Sequence, residues 1–216
     1  MLSSILQHLD RLYDLELDLD IHDFLVDAQT CTRLGHSSSR ASVLVRERHS
    51  DDELELGVYI GEAELEQLSK IDLTAQIHPE CFELLVTAIE EVSHFAYLSF
   101  CASREKRVTQ LELELQAEVD KFITATLLVA SRNRGRVPSG FLDRLFGDFE
   151  IRADVDAGSH ERYAAAASFA SRYCSYVVQD SLGGASLRAL LPELRSFYRL
   201  TQGGKIGRIH NVIYTA

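Results

Sequence analysis

Three sets of side chains in this sequence could do chemistry. The first is Glu91-Val-Ser-His94, a carboxylate and an imidazole three residues apart. On a helix that spacing puts both groups on one side, where they can share a metal ion. Bundles that hold two metal ions use two such units and two further carboxylates, and this chain has one copy. His94 also falls off the apolar stripe of its segment, in line with Glu90, Tyr97 and Cys101.

The second is Glu118, in the run Gln110-Leu-Glu-Leu-Glu-Leu-Gln-Ala-Glu-Val-Asp120. The run alternates as a strand would, but Glu, Leu, Gln and Ala favour helix and the apolar pattern continues helically to Val129. On that helix Glu118 lies inside the apolar face, Glu114 lies at its edge and Asp120 points away. A carboxylate in an apolar face must be paired, protonated or metal-bound, because an isolated buried charge is too costly. A structural bond to Arg162 or Tyr163 would satisfy it equally.

The third is His160, at the start of a long helix. The positive end of the helix dipole favours its neutral form, which binds metals or accepts a proton; a helix-start role is the competing reading. If Glu91, His94, Glu118 and His160 converged, they would hold one transition metal ion.

A basic loop, Arg132-Asn-Arg134-Gly-Arg136, suits a phosphate or an acidic segment of a partner. Arg199, Lys205 and Arg208, with Arg195 and His210, extend that character near the C-terminus. The two stretches could form one anion- or partner-binding surface, or simply be solvated. No P-loop, GxGxxG, GxSxG, HExxH or EF-hand pattern is present.

These residues sit on a chain of 216 residues with 46% hydrophobic and 25% charged side chains, ordinary values for a globular protein. Residues 1–91 carry 20 acidic and 6 basic side chains, a balance of −14; residues 92–216 carry 13 and 16, a balance of +3. The acidic first half argues against a nucleic-acid partner and suits a protein with a basic surface. Four scattered cysteines and no secretory n-region read as reduced thiols of a soluble, cytoplasmic protein. The longest clean apolar stretch, near Ile123–Ala130, falls short of the roughly 20 residues that span a bilayer.

The elements that must position these groups follow from periodicity. Helices are predicted over 2–13, 61–69, 80–103, 109–131, 160–180 and 185–200, the last despite Pro192. Pro79 opens the helical body. Residues 14–23 alternate and fit either a strand or an irregular turn. Ser42–Glu47 and Glu53–Ile60, flanking a polar loop, predict a β-hairpin, with Gly57 marking a bulge. Residues 203–214 are read as a closing strand.

The expected fold class is α+β, predominantly α: a helical body with a small β-hairpin element in the N-terminal third. One domain over 1–216 is expected, divisible into a mixed part (1–78) and a helical part (79–216). Two functions fit. The favoured one is a non-catalytic protein-interaction or regulatory module, with a protein partner or a second copy of itself. The alternative is a metal-dependent enzyme or sensor with a carboxylate/histidine site between helices and a transition metal as cofactor.

Overall fold

The computed structural model describes residues 1–37, 41–48, 53–71, 79–132, 157–182 and 187–213. Its fold is α+β and predominantly α: eight α-helices among the described residues and one two-stranded antiparallel hairpin in the N-terminal third. The chain forms two compact units, the first from 1–10 and 15–106, the second from 11–14 and 107–216.

The chain begins with α1 (Leu2–Tyr13), whose first nine residues belong to the first unit and whose last three belong to the second. Its Leu2, Ile5, Leu6 and Leu9 are buried at steps of three and four. The helix closes when Leu15 N–H bonds back to Asp10 O at 3.1 Å, with Asp14 in the left-handed region at φ 58°. The alternating stretch that follows is no strand. It runs irregularly into a 3-10 turn (Ile21–Phe24), whose first N–H groups are capped by Asp20. Aspartates at alternate positions cap and turn better than they pair. The short α2 (Ala28–Arg33) starts on Asp27, which accepts from Thr30 N–H at 2.7 Å.

The hairpin pairs β1 (Ser42–Arg48) with β2 (Glu53–Tyr59) in unbroken register, Ser42 opposite Tyr59 and Arg48 opposite Glu53. There is no bulge at Gly57. A Cβ there would meet Val26 Cγ1 at 3.1 Å, so the glycine lets the 25–26 segment lie against β2, where Val26 N–H donates to Val58 O at 3.0 Å. Cys31, Leu44 and Tyr59 form a small core here with Val26. Helix α3 (Glu62–Lys70) follows, with Glu64 accepting the Gly61 N–H at 2.9 Å.

Helix α4 (Pro79–Ala102) packs on α3 and both strands. Phe95 meets Phe24 at 4.8 Å between ring centres. One segment of α4, Cys81–Ala102, is long and apolar enough to cross a membrane, but most of it is buried in the fold. Core helices meet the same criterion. Glu83, Glu90 and Glu91 interrupt this segment's apolar run. Lys106 N–H bonds to Cys101 O at 2.9 Å and ends the helix, with Glu105 at φ 52°.

In the second unit α5 (Gln110–Arg132) starts on Thr109, whose hydroxyl accepts from Glu112 N–H at 3.1 Å. It packs along α6 (Ala157–Leu182). Helix α7 (Leu187–Arg199) accommodates Pro192 inside it. The predicted closing strand is a helix, α8 (Gln202–Ile213). Three glycines made helix improbable on propensity. Tertiary contacts override that: Glu112 Oε2 accepts the Gln202 N–H at 2.8 Å and Ile209 is buried, while Thr201 O starts the helix by accepting from Lys205 N–H at 2.8 Å. A Cβ at Gly204 would meet Leu200 at 3.2 Å, so close packing on the preceding turn explains one of the three.

Candidate metal site

The site is built on α4. Four residues recur at i, i+4, i+7 and i+11: Glu90, His94, Tyr97 and Cys101. This stripe could have faced solvent. Instead His94 is 9% exposed, Tyr97 and Cys101 are buried, and Glu90 is half-buried. A carboxylate oxygen of Glu90 and a ring nitrogen of His94 lie within 4.8 Å of one another. Glu91, 8% exposed, also lies near the ring: its Oε2 is 3.8 Å from His94 Nδ1. Two carboxylates thus flank one imidazole on a largely buried helix. Water is mostly excluded there, so attraction to a cation is stronger than at a surface.

At the lower end of the stripe, the Tyr97 hydroxyl is 3.0 Å from Lys106 Nζ, which donates to it. That bond ties the end of α4 to the turn after it. The spacing that brings Glu90 to His94 was legible in the sequence, as was the ExxH spacing of Glu91 and His94.

The second unit holds the other candidates. Glu118 is buried as its position implied, and it pairs with Lys121 Nζ at 2.6 Å, one turn along α5. His160 is exposed on the first turn of α6. Asp120 does not point away. It is fully buried, and its Oδ1 accepts from the Tyr13 hydroxyl at 2.5 Å and from Gln116 Nε2 at 2.8 Å. Every residue from Leu115 to Asp120 is buried, so the helical wheel does not separate an inner from an outer side here. A helix enclosed on all sides has no polar face to assign.

Gln116 links two charges. Its Nε2 donates to Asp120, and its Oε1 accepts from Lys205 Nζ. Lys205 is fully buried, so it lines no exposed basic surface. Its ammonium also lies 4.6 Å from the Phe197 ring centre and 5.7 Å from that of Tyr198. Arg199 donates to Tyr13 O at 2.9 Å and Asp14 O at 2.8 Å, while Arg195 donates to Leu12 O and Arg11 O at 3.1 Å each. Two arginines therefore satisfy four consecutive carbonyls at the end of α1. Arg208 donates to Glu193 at 2.5 Å. Arg132, Arg134 and Arg136 lie outside the described side chains.

Burial, more than Asp120, Tyr173 and Tyr198, drives the Tyr13 phenol well above its usual pKa. Burial, followed by Glu118 and Asp120, does the same to the Cys174 thiol.

No protein-family model, curated protein or solved structure matches this chain.

Proposed function

We propose that this protein binds a divalent first-row transition metal ion, with Glu90 and His94 of α4 as ligands. The observation that carries the reading is the approach of the Glu90 carboxylate to the His94 ring, within 4.8 Å, on a largely buried helix. Two bonds of about 2 Å to one ion bring its donors to roughly 3–4 Å, which small side-chain rotations reach. Imidazole with carboxylate suits zinc, iron or manganese, and disfavours calcium and magnesium, which take oxygen donors. Calorimetric titration of untagged, chelator-treated protein with zinc tests this. Binding near one ion per chain is expected, and His94→Ala and Glu90→Gln should each remove it. Equal binding by all three proteins would overturn the assignment.

A second reading is a protein-interaction or regulatory module of the cytoplasm, with a second copy as the simplest partner. What favours it is apolar exposure in the acidic half: Leu34 and Val45 are 42% and 43% exposed. Sedimentation of the wild type against Val45→Glu tests it. A concentration-dependent dimer lost in the variant supports this reading, and a monomer throughout opposes it.

A further inference from the structure

We propose that Glu91 is the positioning residue of this site, holding His94 in the tautomer that presents Nε2 to the ion. The inference rests on the metal reading above and assigns Glu91 a role distinct from that of a ligand. Glu91 precedes His94 by one turn on the same side of α4 and faces one nitrogen: Oε2 is 3.8 Å from Nδ1, with both side chains about one-tenth exposed. The two ring nitrogens point in different directions, so a carboxylate drawn up to Nδ1 leaves Nε2 as the nitrogen to offer an ion. A neutral imidazole carries one N–H. A carboxylate beside Nδ1 draws the proton there and leaves the Nε2 lone pair for a cation.

Closing the gap from 3.8 Å to a hydrogen bond takes a movement of about 1 Å. Metal coordination at Nε2 favours that movement, because it polarises the ring and strengthens Nδ1–H as a donor. Carboxylates placed this way behind a ligating imidazole fix its orientation and raise its basicity.

Two readouts on the untagged full chain test this. In metal-free protein, nitrogen-15 NMR of the His94 ring should report the Nδ1–H tautomer. Glu91→Gln, which keeps an acceptor, should preserve it, and Glu91→Ala should shift the ring toward Nε2–H. In zinc titrations Glu91→Ala should weaken binding about 10–100-fold, Glu91→Gln should lose less, and His94→Ala should bind nothing. If Glu91→Ala changes neither tautomer nor affinity, the proposal fails. If Glu91→Gln loses binding as completely as His94→Ala, Glu91 is a ligand and the positioning role is wrong. A wild type that binds no zinc removes the metal reading and this inference with it; that outcome is distinct because the variants then have no binding to lose.

Discussion

Glu105 occupies φ 52° at the end of α4, in the left-handed region that costs an L-residue about 1–2 kcal/mol. Its side chain is exposed, so replacing it removes little packing. Glu105→Gly should therefore stabilise the protein by about 1 kcal/mol, raising Tm by roughly 2–4 °C in a scanning calorimeter. Tyr13 gives the opposite case. Its hydroxyl donates to a fully buried carboxylate. Tyr13→Phe leaves Asp120 short of a donor and should cost about 2–3 kcal/mol in urea unfolding.

Tyr13 also sets a pH dependence. Its folded pKa is raised above the ordinary 10.0, so the folded state holds the proton more tightly than the unfolded chain. The associated stability is complete below pH 10 and declines as the pH climbs from there toward the folded value. Urea midpoints should fall as the pH rises from about 10 to about 11, and fall less steeply in Tyr13→Phe. Nothing in the sequence marked Tyr13 for this role, since it reads as one more apolar position of α1. Its partner lies 107 residues away, and local spacing carries no information about that.

Among the elements, those set by local rules were legible. The helices at 2–13, 79–102 and 110–132 and the hairpin at 42–59 follow from apolar spacing, the polar loop and Pro79. Helix α8 was not legible, because its stability comes from side chains far away in sequence. Lys205 is the clearest case: a basic residue near a chain end reads as solvated, yet here it is fully buried against Gln116 and two aromatic rings. Lys205→Met keeps the aliphatic stem and removes the charge. It leaves the buried network uncompensated and should cost about 3–5 kcal/mol in stability. Circular dichroism with urea unfolding would measure it; a neutral result would show that the ammonium is dispensable to α8.

The capping of α1 belongs to the same scale. Arg199 spans two carbonyls at the C-terminal end of that helix, where a positive charge is also favoured by the helix dipole. Arg199→Ala should cost about 1 kcal/mol by the same measurement. In the sequence these arginines read as an anion-binding surface. Their type was informative, but their partners are backbone carbonyls, which no spacing rule reveals.

For the whole molecule, the charge split between an acidic first half and a mildly basic second half shapes solubility and the choice of partner. It places no chemistry. The metal reading places its chemistry on α4, where half-buried Glu90 and buried Glu91 and His94 occupy a helix otherwise apolar enough to pass for a membrane span. The stripe's spacing was visible in the sequence, but its burial was not, because periodicity shows which residues share a face and not what covers that face. The most direct test of the metal reading is elemental analysis of untagged protein purified without chelators, with His94→Ala prepared in parallel. The account predicts near-stoichiometric zinc, iron or manganese in the wild type and its loss in the variant, with the variant still folded. Equal metal in both proteins, or none in the wild type even after incubation with these ions, would contradict it.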